Sequence, residues 1–171
     1  RLDSLFIAES KIEGPLVSSD ISGLIGQYAH GNEPSHHIVH LYNYVNQSWK
    51  TQQLIDTILH TQYFNNPNGL SGNEDCGQMS AWYVLNAMGF YQVCPGSPIY
   101  SVGRPIFDKV TINLPNGKVF EIIANNNSRT NKYIQSIRLD NILLESPFFM
   151  HSDIMKGGKI VMEMGNTPVK Q

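Results

Sequence analysis

Apolar residues recur at helical spacing in the first half of the chain. Four segments place apolar side chains three or four positions apart, which is the spacing of one buried helical face. These stripes are Ile21, Leu24, Ile25 and Tyr28; Ile38, Leu41, Tyr42 and Val45; Leu54, Ile55, Ile58 and Leu59; and Ala81, Val84, Leu85 and Met88. We therefore predict four helices, the first of them capped within residues 18–20 and ended by Gly31.

In the second half, apolar residues alternate instead. Val110, Ile112 and Leu114 have the period of a half-buried strand, and a turn at residues 115–117 precedes another strand over 118–123. Further strands are predicted over 133–139 and 159–164, with Ile160 and Met162 on one face of the latter. We predict an antiparallel β region after Pro95.

This order of elements limits the fold class. Helices followed by strands, without alternation of the two, predict an α+β arrangement or parts of two domains. A length of 171 residues fits one domain or pieces of two. The helical half has more apolar faces than partners to cover them, and the chain opens on Arg1. We expect a section of a larger protein.

Composition and charge exclude some classes of partner. Twelve basic and fourteen acidic residues give a net charge of −2 without a basic cluster, which does not favour nucleic acid. No apolar run approaches the ~18 residues that a membrane span needs, and no signal peptide pattern opens the chain. Two cysteines, Cys76 and Cys94, do not form a disulfide framework, and we expect free thiols.

One acidic loop carries the clearest candidate chemistry. Residues 69–78 contain Asn73, Glu74, Asp75 and Gln78 and run into the fourth predicted helix. Two carboxylates on a glycine-bent loop suit binding of a cation or of sugar hydroxyls, or activation of a water. Asp75 with Gln78 three positions later also fits a helix N-cap and its reciprocal partner. An N-capping acid can also be catalytic, so both interpretations stay open.

A second polar stretch contains four of the six histidines: His30, His36, His37 and His40. His36 and His40 are spaced to share a metal on one helix face, with Glu33 nearby, although the zinc protease motif has Glu where this chain has His37. We favour a polar binding wall for a hydroxyl-rich ligand, formed by His30, Asn32, Glu33 and His36 or His37. The many aromatic residues of this half suit a carbohydrate, because sugar faces stack on rings.

Several sequence segments together resemble glycoside hydrolase family 92, the calcium-dependent exo-acting α-mannosidases of gut and environmental bacteria. They are Gly31-Asn-Glu-Pro-Ser-His-His37, Tyr42-Asn-Tyr44, Trp49-Lys-Thr-Gln52, Gly72-Asn-Glu-Asp-Cys-Gly-Gln-Met-Ser-Ala-Trp-Tyr83, Ala87-Met-Gly-Phe-Tyr91 and Cys94-Pro-Gly-Ser-Pro98. Shorter matches follow at Phe107-Asp-Lys-Val-Thr-Ile112, Tyr133-Ile-Gln135, His151-Ser-Asp-Ile154 and Gly157-Gly158. The resemblance covers nearly the whole chain in order.

The resemblance implies a fold. Family members combine an (α/α)6 barrel with β-sandwich structure, so residues 1–95 would be the last barrel helices and residues 96–171 an antiparallel β region. The chain would be the C-terminal portion of a periplasmic or secreted enzyme. Its partners would be mannose-containing glycans and the N-terminal remainder of the same enzyme.

The resemblance also implies roles for particular residues. Family members invert at the anomeric carbon, using one carboxylic acid and one carboxylate that activates water. Asp75 matches the general base. Some members carry a further acid where this chain has Asn73, and Glu74 is the substitute that the sequence offers. Asn32 and Glu33 match the calcium and mannose subsite. The general acid would lie upstream of Arg1, so we expect the chain alone to be inactive.

Two rival hypotheses come from other classes of protein. A carbohydrate-binding or structural module would keep the polar cleft and perform no chemistry. A zinc hydrolase would use His36, His37 and His40 as metal ligands. The leading hypothesis remains an exo-acting, inverting α-mannosidase, with α-1,2 linkages as the expected substrate.

Overall fold

The computed structural model describes residues 1–14, 17, 18 and 21–170. The described helices are α1 (Leu2–Ile7), α2 (Ser48–Thr61), α3 (Gln78–Met88) and α4 (His151–Lys156), with 3-10 helices at Glu33–Ser35 and Ile38–Val45. The described strands are β1 (Leu24–Ile25), β2 (Tyr28–Ala29), β3 (Phe90–Tyr91), β4 (Ile99–Val102), β5 (Lys109–Asn113), β6 (Val119–Asn125), β7 (Tyr133–Leu139), β8 (Ile142–Leu143), β9 (Phe148–Met150) and β10 (Gly158–Gly165). The α+β prediction is confirmed.

Of the four predicted helices, the third and fourth are α2 and α3, and the second is the 3-10 helix Ile38–Val45. The first prediction is wrong, because β1 and β2 form a hairpin in that segment. Gly23 and Gly26 both have φ of +62°, and a Cβ on Gly26 would lie 2.4 Å from the carbonyl oxygen of Leu5. The chain therefore turns tightly against α1. The predicted caps Ser19 and Asp20 lie outside the described residues.

Helix α3 buries a different face from the one predicted. Met79, Trp82 and Ala87 are fully buried, whereas Ala81 is exposed and Val84 is 53% exposed. Trp82 joins the apolar cluster of the helical half, while Leu85 and Met88 pack against the apolar core of the strands. The helix therefore lies between two cores, and the Ala81–Val84 side contacts neither of them.

The main sheet has the strand order β5-β6-β10-β7-β8. β5 and β6 form the predicted hairpin, with the turn at Gly117 in the left-handed region. The antiparallel prediction is wrong at one place, because β10 pairs in parallel with β6. After β9 and α4 the chain returns to the middle of the sheet, and β10 enters between β6 and β7. A second sheet has the order β3-β4-β9.

A buried ion cluster joins the helical half to the strands. Asp56 on α2 lies 2.9 Å from Nε of Arg104 and 3.2 Å from Nζ of Lys132. The Arg104 contact is an ion pair without hydrogen-bond alignment. The two terminal guanidinium nitrogens of Arg104 donate to the carbonyl oxygens of Pro105 and Ser128. Gln52 adds a hydrogen bond from the backbone N–H of Ile134 to its side-chain oxygen, at 3.0 Å. These polar contacts fix α2 against the sheet.

Two simpler expectations can be compared with this structure. Cys76 and Cys94 are free and exposed, which confirms the expectation of free thiols. Within the described part of the chain, helices fall short of the length and hydropathy that crossing a bilayer requires.

Substitution of Asp56 by Asn should destabilise the protein. The change leaves the Arg104 guanidinium buried beside a neutral amide, and loss of one partner of a buried pair costs about 3 kcal/mol. Chemical denaturation of the protein that carries this chain measures the change in the free energy of unfolding. Lys109→Gln is the matched control, since its pair with Glu121 is exposed and worth less than about 1 kcal/mol. Equal effects of the two substitutions would contradict the buried-pair argument.

Candidate active site

The two polar stretches singled out in the sequence lie against each other. A Cβ on Gly72 would lie 2.9 Å from the carbonyl oxygen of Gly31, so the two backbones approach as closely as glycine allows. Nε2 of Gln78 donates to Nδ1 of His36 at 3.1 Å. Nε1 of Trp82 donates to the carbonyl oxygen of His36 at 3.1 Å. The start of α3 is thereby tied to the histidine stretch.

His30 lies at the centre of the polar core beneath these loops. Its Nδ1 accepts from the Tyr28 hydroxyl at 2.9 Å, and its Nε2 donates to the Tyr63 hydroxyl at 2.7 Å. Tyr63 in turn donates to the carbonyl oxygen of Met79 on α3. The ring is fully buried, stacks on His36 and meets the Trp82 ring edge-on. Burial lowers the pKa of His30 from 6.5 to about 3, so the ring is neutral.

His36 is buried in the same way and is held in one tautomer. Its Nε2 donates to the carbonyl oxygen of His30 at 3.0 Å, while Nδ1 accepts from Gln78. Burial lowers its pKa as well. Both rings therefore bond to protein atoms inside the core, which differs from the prediction that His30 and His36 line a binding wall. His37 is half-buried at the surface of the same stretch.

The zinc hypothesis has no ligand set in this arrangement. His40 is fully buried, with Nε2 donating to Asn86 at 2.9 Å and Nδ1 bonded to the Ser101 hydroxyl at 3.1 Å. The ring nitrogens of His36 are also both bonded to protein atoms. Over residues 1–14, 17, 18 and 21–170, no three His, Cys, Asp or Glu side chains converge to hold a metal. Burial lowers the pKa of His40 to about 4, consistent with a packed, neutral ring.

The two acids of the loop differ in what they contact. Glu74 accepts from the backbone N–H and the hydroxyl of Ser80 at 3.0 and 2.8 Å, so it satisfies the first turn of α3. Asp75 is exposed, and its carboxylate has no hydrogen bond or ion pair among the described residues. The N-cap position is Gly77, without a side-chain cap. The prediction that Asp75 caps α3 with Gln78 as its partner is therefore wrong.

The backbone around Asp75 is strained. Asp75, Cys76 and Gly77 have φ of 48°, 56° and 88°, three left-handed residues in a row. For a residue with a side chain this region costs about 1–2 kcal/mol, although Asp tolerates it better than most. Such outliers persist where the surroundings hold them, and they cluster at functional sites. Here Glu74 and Gln78 hold the two ends of the turn and leave Asp75 pointing outward from it.

The donors proposed for calcium are chemically suitable but few. Asn32 and Glu33 are adjacent and half-buried, and Glu33 opens the 3-10 turn Glu33–Ser35. An amide and a carboxylate offer the hard oxygens that Ca²⁺ prefers, although Ca²⁺ takes about 6–8 of them. These two residues fit part of a calcium shell. Asn73, exposed on the acidic loop, adds a polar group near Asp75 along the chain.

Some of the most important supporting residues were not predicted as such. The sequence pattern gives no role to the hydroxyls of Tyr28, Tyr63 and Tyr91, yet these hydroxyls hold His30 and Gln78. Ser80 carries the Glu74 contact. No spacing rule identifies them, because these contacts depend on how the segments pack in three dimensions, as between Tyr63 and His30, which are 33 positions apart.

Comparisons with known proteins identify the family. The sequence matches the Glycosyl hydrolase family 92 catalytic domain over residues 1–166. A solved family GH92 α-mannosidase from Bacteroides thetaiotaomicron, in complex with mannoimidazole, is 42% identical; the match has a TM-score of 0.91 and covers 98% of this chain and 22% of that one. A family GH92 inverting mannosidase from Bacteroides thetaiotaomicron is 38% identical, with a TM-score of 0.81 and coverages of 98% and 24%.

A curated relative, an uncharacterized secreted glycosidase from Arthroderma benhamiae, is 27% identical over 138 residues, which are 79% of this chain and 18% of that protein. The fold and the sequence match define a glycoside hydrolase domain. The chain belongs to glycoside hydrolase family 92. It spans 18% to 24% of the length of these relatives.

The buried histidines predict how stability depends on pH. The folded pKa values of His30, His36 and His40 lie below 6.5, so between pH 6.5 and about 4 the unfolded chain binds protons that the folded chain does not. Their contribution to stability is complete above pH 6.5 and is lost as the pH falls, at up to about 1.4 kcal/mol per ring per pH unit. Denaturation midpoints between pH 7 and 4.5 measure this slope.

His40→Gln should reduce that slope by one ring's contribution, whatever its effect on stability at pH 7. A ring of His30, His36 or His40 that takes up a proton above pH 6 in the folded protein, observed by NMR, would contradict this account.

Proposed function

We propose that this chain supplies part of the active site of an exo-acting, inverting α-mannosidase that hydrolyses α-linked mannosides of glycans, with α-1,2 linkages as the expected substrate. Family membership supports the class of reaction. Of the solved relatives, one is described as an α-mannosidase in complex with mannoimidazole and another as an inverting mannosidase. The curated relative is described as secreted, which supports a secreted or periplasmic location.

Asp75 would be the general base. The observation that carries this assignment is the contrast between the two loop acids, since Glu74 is bonded to Ser80 and Asp75 is exposed and uncommitted. In an inverting mechanism a carboxylate accepts a proton from water as that water attacks the anomeric carbon. The proton would move to an Asp75 oxygen, and the new bond would form on the face opposite the leaving group.

Glu74 would then position Asp75 rather than act as a second base. Its carboxylate is held at the start of α3, and the strained turn between Glu74 and Gln78 fixes the direction of the Asp75 side chain. Gln78, bonded to His36 and Tyr91, is committed to the core in the same way. Exposed Asn73 and half-buried His37 would contact sugar hydroxyls, together with half-buried Glu33.

The remaining parts of the reaction would come from outside these residues. An inverting enzyme needs a carboxylic acid about 6.5–9.5 Å from the base carboxylate to protonate the leaving oxygen. The chain spans about a fifth of the length of its relatives, and we place this acid in the rest of the protein. The chain alone would then be inactive. Residues 1–95 would contribute helices to an (α/α)6 barrel, and residues 96–171 a β region.

Asn32 and Glu33 would supply part of the coordination shell of a calcium ion at the mannose subsite. When bound, calcium would orient sugar hydroxyls and favour a distorted ring, in keeping with the oxocarbenium-like transition state. The adjacency of two oxygen donors in the loop that packs on the acidic loop supports this placement.

Asp75→Asn in the protein that carries this chain should lower turnover of an α-mannoside by about 10²–10⁴, because the base is lost. Binding of mannoimidazole should stay within a few fold, because the amide keeps the shape of the side chain. Glu74→Gln is the matched control: it should lower the free energy of unfolding, and it should lower turnover less than Asp75→Asn does. A larger loss of turnover in Glu74→Gln than in Asp75→Asn would assign the base to Glu74. A wild-type protein that binds mannoimidazole but does not hydrolyse the α-mannoside would support a binding module instead.

Removal of calcium should abolish turnover, since its two proposed ligands, Asn32 and Glu33, lie in the loop that packs on the acidic loop. Dialysis against a chelator, followed by addition of Ca²⁺ or Zn²⁺, measures this directly, and Ca²⁺ alone should restore the rate. Glu33→Gln should raise the Ca²⁺ concentration required for half-maximal activity. Full activity in the chelator would remove calcium from the proposal.

A further inference from the structure

A groove beside the acidic loop is not used by the proposed chemistry. It has a volume of about 470 Å³ and lies between the segment Tyr63–Leu70 and the outer side of α3. That volume is within the range of small-molecule sites, about 300–1,000 Å³. Its walls combine the rings of Tyr63, Phe64 and Tyr83 with the amides of Asn65 and Asn66.

We propose that this groove binds a further sugar of the α-mannoside, next to those at the catalytic loop. The inference rests on the proposed function, because it extends that site along the same substrate.

The wall that carries Phe64 is rigid. The N–H of Phe64 donates to the carbonyl oxygen of Gly69 at 2.9 Å, and the N–H of Gly69 donates to Asn66 at 3.0 Å. Tyr63 and Leu70 form an antiparallel bridge at the base of the turn. A Cβ on Gly69 would fall within 1.9 Å of the Phe64 carbonyl oxygen, so the turn is closed on itself. Phe64 is nevertheless 58% exposed, which leaves its ring held out from a fixed loop.

The polar groups of the groove are available. The Asn65 side chain and the Tyr83 hydroxyl make no hydrogen bond to described residues, and Nδ2 of Asn66 is likewise unbonded while its Oδ1 accepts from Asn68. Rings that present their faces and amides with free donors and acceptors match a sugar, whose apolar faces stack while its hydroxyls bond. An apolar segment placed here would leave those amides unsatisfied, at a cost in free energy.

One residue connects the groove to the catalytic loop. Ser80 lines the groove, and its N–H and hydroxyl both bond to Glu74. Glu74 is adjacent to Asp75, about 3.8 Å away along the backbone between Cα atoms. The groove and the catalytic loop therefore meet at the Ser80–Glu74 contact, and a glycan with one sugar at Asp75 would extend past this contact into the groove. The stacking contact would then give the protein preference for longer mannosides.

The test compares a long and a short substrate in the full-length protein. With Phe64→Ala, the ratio of kcat/KM for α-linked mannotriose to that for α-mannosyl fluoride should fall about tenfold, the loss expected for one ring contact. Tyr44→Ala is the matched control, because Tyr44 is 55% exposed but packs on Phe148, away from the groove. It should leave the ratio unchanged.

A binding measurement separates this inference from the proposed function. In Asp75→Asn protein, Phe64→Ala should raise the Kd for mannotriose about tenfold by calorimetry, whether or not Asp75 is the base. A ratio and a Kd that both stay within twofold would overturn the subsite. A lowered denaturation midpoint with no change in either value would also overturn it, and would show that another segment of the protein covers the groove.

Discussion

The candidate site depends on a buried polar network in which every histidine nitrogen is bonded. His30 and His36 lie between the two loops, and each ring is fixed in one tautomer by a donor on one side and an acceptor on the other. An unmet bond in this interior would cost about 1–3 kcal/mol, so the network has one arrangement with all groups satisfied. That arrangement fixes where α3 begins, and the beginning of α3 fixes the acidic loop.

The same network distinguishes the side chains that support the fold from the one proposed to react. Side chains that look like ligands in the sequence form hydrogen bonds within the protein instead. Gln78 bonds to His36, Glu74 bonds to Ser80 at the start of α3, and His40 bonds to Asn86 and Ser101. Asp75 is left uncommitted because its neighbours satisfy the groups around it. A site built in this way is rigid without placing a hydrogen bond on the group proposed to react, which keeps that carboxylate available to water.

Much of the fold could be predicted from the sequence, and the failures have physical causes. The alternation in the second half identified β5, β6, β7 and β10, because one face of each is buried. The first predicted helix is wrong because Gly23 and Gly26 allow a hairpin that packs against α1. The wrong face was chosen for α3 because both sides of that helix are apolar. The loops were found from their glycines and acids, whereas the tyrosines and Ser80 depend on contacts that no local pattern encodes.

The parallel pairing of β10 with β6 affects the order in which the chain can fold. The β5–β6 and β7–β8 hairpins are local and close quickly, but neither contains the strand that lies between them in the sheet. Until Gly158–Gly165 has left the ribosome, the inner edges of both hairpins stay unpaired and the apolar face of β6 lacks its neighbour. During synthesis these unpaired edges can pair with other chains, so this part of the chain is prone to aggregate until β10 is in place.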